Sequence, residues 1–452
     1  MQFSSLRRAL HPRRPRAAFP LTFTSGIRPR PFSSASAAAA RAPPPPPKDA
    51  PDAPPPPMPT RRWEEALASS QRAFSLPLAG RVLAASATGN AAVAPPAVHA
   101  SLALATAGAR GATRRQLLQV LGCGGGGGRG AVADAANVAS RVVKRVLRDR
   151  APSGGPELAF AGGIWADASA RLSPGFVEAA RDVYCSAART ADFLNKPEDA
   201  VKQINLWVQE STKCTVTSLL PDVSIDHNTG LILGSALYFR GRWINQADIR
   251  RNASQKFYCL DGTCIDVPFM EYDRSRPFAV HEGFKVIKLP YQQGRNERKF
   301  SIYIFLPDTH DGLFDLTKKI FAEPSFLEQH LPTEKRHVDI RVPMFTVSFQ
   351  IDMKEFLEEM GLELPFHRDA DFTDMVKEDE PSGPLFLSDV LHKAVLEVND
   401  KVIEENLLSM CVGKPSPAEH FVADHPFFFV IREEVSGSII FMGHILDPSS
   451  QS

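Results

Sequence analysis

Along the first half of the chain, apolar residues recur at helical spacing. Alanine and leucine return every three or four positions over residues 64–84, 98–108, 114–121 and 131–147, which predicts amphipathic helices, and 174–183 and 197–209 add two more. From residue 231 the usage shifts to β-branched and aromatic runs, at 231–239, 255–258, 284–289, 300–306, 337–343 and 345–349, which predict strands. A helix over 353–360 interrupts them and stops at Gly361, a residue suited to ending a helix. Helices first and strands later predict an α+β domain. With no internal period and no second linker, residues 60–452 read as one large domain.

Before residue 60 the periodic pattern is absent. Residues 1–48 hold eight arginines and one lysine with no acidic residue, whereas the whole 452-residue chain carries a net charge of only +1, so the remainder is net acidic. An Arg- and Ser-rich, acid-free start has the composition of an organelle transit segment, and Arg30-Pro31-Phe32-Ser33-Ser34 resembles a mitochondrial processing site. Two readings stay open. Residues 1–34 address a mitochondrion or plastid, or residues 1–59 are a disordered extension of a cytoplasmic or nuclear protein. The prolines at 43–47 and 54–57 form stiff spacers that cannot join a core, favouring a linker over a ligand for SH3-like domains.

Composition narrows the function class. There is no overall basic field to argue for nucleic acid, and no apolar run approaches the roughly 20 residues of a membrane helix, so neither partner is expected. Six scattered cysteines, without Cys-x-x-Cys or His-rich spacing, suggest neither a disulfide framework nor a metal site. The glycine run 124–128 lacks the Gly-Lys-Ser/Thr ending that holds phosphate and reads as a helix-to-helix loop. No Gly-x-Ser-x-Gly or His-Glu-x-x-His motif is present. Ser388, Asp389 and His392 contain the residue types of a hydrolytic triad, but their closeness in one strand splays them to opposite faces. Neither an enzyme nor a bound cofactor is expected.

Phe421-Val422-Ala423-Asp424-His425-Pro426-Phe427-Phe428-Phe429-Val430-Ile431 resembles the C-terminal signature of the serpin family at every fixed position. Further fragments follow in family order. They are Asn205-Leu206-Trp207-Val208 with Thr212 and Leu220-Pro221, Tyr238-Phe239-Arg240-Gly241-Arg242-Trp243, Met360-Gly361-Leu362 with Pro365-Phe366 and Ala370-Asp371-Phe372, and His392-Lys393-Ala394-Val395-Leu396-Glu397-Val398-Asn399. The resemblance spans residues 63–448 and its wording is most similar to plant serpins. It implies a fold of about eight to nine helices and three β-sheets with an exposed reactive-centre loop, here at about 400–420, acting as a monomer on a protease. In the family the cleaved loop inserts as an extra strand into the central sheet before the acyl-enzyme hydrolyses.

The loop residues depart from that pattern. Asp400, Lys401, Val402, Ile403, Glu404, Glu405, Asn406, Leu407 and Leu408 stand where inhibitory members carry Glu-Glu-Gly-Thr and alanines. Strand alternation would send Ile403, Glu405 and Leu407 into the core on insertion, and an unpaired buried glutamate costs several kcal/mol. Val402 replaces the hinge glycine and removes backbone freedom. The loop centre, Cys411, Val412, Gly413, Lys414, Pro415 and Ser416, offers Lys414 as its only basic cleavage position, with Pro415 behind it. Counting between matched anchors makes the loop about three residues short, or about 10 Å of reach.

The resemblance also implies a hydrogen-bonded cluster beneath the sheet and a tryptophan, here Trp243, at its top. Ala94 and Ala97 replace two family serines and Ser235 an asparagine, which predicts that His392 is left alone and the network largely gone. These readings point to a serpin that does not inhibit. A working suicide inhibitor of a serine or cysteine protease and a storage or chaperone-like protein are the alternatives. Asn252-Ala253-Ser254 is a glycosylation sequon that matters only in a secreted protein, a location suggested by family analogy alone.

Overall fold

The computed structural model describes residues 60–123, 129–221, 225, 228–244, 250–251, 254–294, 298–377, 385–399 and 419–451. The reactive-loop positions 400–418, the sequon at Asn252 and the glycine run lie outside them.

The N-terminal half supplies helices α1 (Thr60–Ser70), α2 (Leu76–Ala85), α3 (Pro95–Gly108), α4 (Gly111–Val120), α5 (Arg129–Arg141), α6 (Pro174–Asp182) and α7 (Pro197–Ser211). A π-helical turn, Gln71–Ser75, joins α1 to α2, so the predicted run over 64–84 is one helical rod with a widened turn. Helix α3 is buried on nearly every side, consistent with its Ala-rich sequence. The expectation of helices first is corrected by strands β1 (Ala91–Val93), β2 (Glu157–Asp167) and β3 (Ala187–Ala191), which lie among these helices. Strand β2 hides from propensity because Ala159-Phe160-Ala161-Gly162-Gly163 is poor in β-branched residues. Its glycines answer a packing need, since a Cβ at Gly163 would sit 2.5 Å from the Trp165 ring.

The C-terminal half supplies β4 (Leu231–Arg240), β5 (Arg250–Arg251), β6 (Gln255–Tyr258), β7 (Cys264–Val267), β8 (Phe269–His281), β9 (Phe284–Pro290), β10 (Phe300–Pro307), β11 (Lys335–Pro343), β12 (Phe345–Asp352), β13 (Leu387–Val398), β14 (Glu419–Val422), β15 (Phe427–Glu433) and β16 (Ser438–Ile445), with α8 (Leu313–Ala322), α9 (Phe326–His330) and α10 (Lys354–Glu359) between them. Gly361 follows α10 at φ +91°, the left-handed conformation that ends a helix. Helices α8 and α9 were absent from the sequence expectation, and α8 packs against β10 and β15.

Hydrogen bonding among the described residues forms three sheets. One runs β12-β13-β4-β2-β3. A composite sheet runs β1-β16-β15-β10-β9-β8-β11-β14, with β5 on β8, and β6 pairs with β7. The α+β serpin fold expected from the resemblance is the fold observed. Strand β4 is buried along both faces up to Arg240, as its unbroken Leu-Ile-Leu-Gly-Ser-Ala-Leu-Tyr-Phe run requires of a central strand. Above the five-stranded sheet, α7 packs Ile204 and Val208 around Trp165, whose ring meets Trp207 edge-on at 5.0 Å. The five cysteines among the described residues are free thiols.

Candidate functional site

Strand β13 carries the chain into residues 400–418, and β14 receives it in the other sheet, parallel to β11. Beside β13 lies β4, and the two run parallel, from Leu387 opposite Leu231 to Glu397 opposite Arg240. A chain that left the end of β13 and turned back would run antiparallel to both, so by direction an added strand would fit this seam. Here it is closed by a ladder that runs unbroken from Asp389 opposite Ile232 to Glu397 opposite Arg240, with one register shift at Ser388. At roughly 0.5–1.5 kcal/mol net per hydrogen bond, parting it costs several kcal/mol.

Side chains pin the seam at three levels. At the start of β4, Gly230 N–H donates to Ser388 Oγ at 2.8 Å and Leu231 N–H to the Phe386 carbonyl at 2.8 Å. In the middle, His392 and Ser235 are register partners and join through Nδ1 and Oγ at 2.9 Å. The Ala94 backbone N–H donates to His392 Nε2 at 3.0 Å. A backbone N–H can only donate, so Nε2 holds the lone pair and Nδ1 gives its proton to Ser235 Oγ. Full burial pushes the His392 pKa down to about 3, keeping the ring neutral as both bonds require. At the end of the seam, Tyr238 Oη donates to Glu397 Oε1 at 2.9 Å, while Arg240 holds Glu157 on β2 at 2.6 Å and Glu397 at 3.8 Å. Burial, then the bond to Glu397, raises the Tyr238 phenol well above its ordinary value.

The prediction that His392 stands alone is therefore corrected. A main-chain N–H substitutes for a serine hydroxyl, because Ala94 sits just ahead of Pro95 at the start of α3. Ala97 is buried in the apolar cluster with Ala94, Leu237 and Ala394. The triad reading fails on contacts as well, since Ser388 receives Gly230 and both His392 ring nitrogens are occupied elsewhere.

Trp243 lies past the end of β4, 3% exposed, and stacks on Tyr291 at 4.6 Å. Gly241 makes this possible, because a Cβ there would fall 2.2 Å from the Tyr291 ring. The segment after α7 covers the sheet. Asn205 accepts Leu219 and Leu220 N–H at 2.8 Å and donates to the Leu220 carbonyl at 2.9 Å, while Gln350 on β12 donates to the Leu219 carbonyl at 3.0 Å.

Sequence reasoning missed Tyr238, Arg240, Ser388 and Glu397 as seam residues, and Glu157 as their partner on β2. Each is ordinary on its own strand, and only the register brings them together. Nor did residue spacing suggest a metal site, yet the fold gathers His310, Asp424 and His425, with candidate donor atoms all within 4.8 Å of one another.

Residues 69–448 match the family described as Serpin (serine protease inhibitor). A rice (Oryza sativa subsp. japonica) protein named "Probable non-inhibitory serpin-Z9" is 72% identical over 395 residues, covering 87% of this chain and 90% of that protein. Serpin-Z2B of wheat (Triticum aestivum) is 41% identical over 370 residues, covering 80% of this chain and 91% of its own length. Among solved structures, Arabidopsis AtSerpin1 in its native stressed conformation gives a TM-score of 0.75 at 33% identity, covering 86% of this chain and 99% of that one. With the fold, the closed seam and these matches in agreement, the chain belongs to the serpin family.

Proposed function

We propose that this chain is a serpin that does not trap proteases, meeting them as a loop substrate and acting through binding or structure instead. The observation that carries the reading is the hinge sequence, in which Val402, Glu405 and Leu407 take the places of a glycine and small residues, set against a seam held by Ser235 with His392 and by Tyr238 and Arg240 with Glu397. The rice relative's name supports the same reading.

Trapping is a race between insertion and deacylation. Insertion has to part the β4/β13 ladder and then bury Ile403, Glu405 and Leu407 in the space created. A penalty of only about 3 kcal/mol for the Glu405 carboxylate slows insertion on the order of a hundredfold, since about 1.4 kcal/mol in a barrier is tenfold in rate. Deacylation then finishes first, and the protease leaves with a nicked serpin behind it. The test is incubation with a panel of serine and cysteine proteases followed by denaturing electrophoresis. Clean loop cleavage is expected, whereas an SDS-stable serpin–protease adduct as the main product would establish an inhibitor.

A further inference from the structure

The turn between β10 and α8 presents His310, and the segment between β14 and β15 presents Asp424 and His425. The Tyr258 N–H, at the end of β6, donates to the Asp424 carbonyl at 2.7 Å, and the Tyr258 ring stacks on His310 at 5.0 Å. His310 in turn stacks on His425 at 4.8 Å.

His425 is the buried member, its side chain 7% exposed, and its hydrogen bonding is unbalanced. Nδ1 lies 2.8 Å from Asp424 Oδ1 and Nε2 lies 2.8 Å from the Pro307 carbonyl oxygen. Both neighbours are acceptors, and a neutral imidazole has one N–H to offer. One ring nitrogen therefore points its lone pair at oxygen unless something positive lies between them.

We propose that His310, Asp424 and His425 form a binding site for a divalent transition ion of the zinc class. With a metal on Nδ1, the Nε2–H of His425 donates to the Pro307 carbonyl, the outer contact that metal-bound histidines commonly make, and the mismatch disappears. Asp424 then faces the ion beside Nδ1. Two imidazoles and a carboxylate are a donor set suited to Zn²⁺, with a fourth position left to water. A tetrahedral zinc with bonds of about 2.1 Å needs donors roughly 3.4 Å apart. Drawing in a donor now up to 4.8 Å away requires the His310 ring to tilt out of its stack. His310 is exposed on a turn, and neither of its ring nitrogens is hydrogen-bonded among the described residues, so little opposes that motion. The ion would tie the β10–α8 turn to the segment just after β14, the strand into which the reactive loop returns.

The test uses full-length, tag-free protein stripped with a chelator and titrated with Zn²⁺ by calorimetry, alongside His310→Ala and Asp424→Asn. Zinc held by thiols would be common to all three proteins and would cancel. The expected result is one site per wild-type chain beyond any thiol-held zinc common to the three proteins, weakened roughly tenfold or more in each variant, with a zinc-dependent rise in melting temperature that His310→Ala abolishes. Co²⁺ bound at the same site should show no thiolate charge-transfer band. Equal zinc binding by wild type and His310→Ala would overturn the proposal. So would an absence of binding with nitrogen NMR showing both His425 ring nitrogens protonated at neutral pH, because the cluster would then be an Asp424–His425 ion pair.

Discussion

Acid should loosen the seam through His392, and the size of the effect follows from its surroundings. In the fold the ring is neutral, accepting the Ala94 N–H and donating to Ser235, with its pKa pushed down to about 3. In the unfolded chain a histidine titrates near 6.5. Because the folded value is the lower one, the unfolded state takes up the proton first. The contribution is complete above about pH 6.5 and is lost as pH falls towards the folded value. At pH 5 the unfolded ring is about 30-fold more protonated than not while the folded ring stays neutral, a loss of about 2 kcal/mol from this residue. His99, fully buried and pushed down to about 4, adds a similar amount. Together they remove about 4 kcal/mol, a large share of the 5–15 kcal/mol typical of a folded protein. Urea unfolding of the parent and of His392→Gln at pH 7.5 and 5.0 reads the difference. The variant should lose about 2 kcal/mol less than the parent on acidification. Equal losses would show that His392 is not held neutral at the seam and would refute its pairing with Ala94 and Ser235.

Two further outcomes are expected. Gly241→Ala should destabilise by about 1–3 kcal/mol or more, because the new methyl overlaps the Tyr291 ring on which Trp243 stacks; an unchanged melting temperature and near-ultraviolet dichroism would contradict that packing. Residues 1–34 fused to a fluorescent protein should carry it to mitochondria or plastids, on the strength of their acid-free, Arg-rich composition, and diffuse cytosolic and nuclear fluorescence would refute the address.

Part of the fold was legible because some of its elements have strong periods. The buried runs of β4 and β10, the alternation in β12 and the proline-led helices α6 and α7 lie where the apolar spacing placed them. Strand β2 was not legible, because glycines 162 and 163 serve the Trp165 ring rather than strand propensity. The site divides the same way. His392 and Ser235 were found by resemblance, but their survival as a pair depends on a backbone N–H that no residue identity announces. Glu397 meets Tyr238 only through the register of two strands 159 positions apart in sequence, and His310 reaches Asp424 and His425 only through the fold.

Whether the cut loop enters the sheet decides between trapping and its absence. The most direct measure is the melting temperature of the full-length protein before and after a single cut within residues 400–418. Insertion would complete the five-stranded sheet with a sixth strand and raise the melting temperature by tens of degrees. Because insertion would place Val402 at the hinge and turn Glu405 and Leu407 inward, the nicked protein is predicted to melt close to the intact one. A gain of tens of degrees on cleavage would show that the seam opens despite its pins and that the hinge residues do not bar the strand.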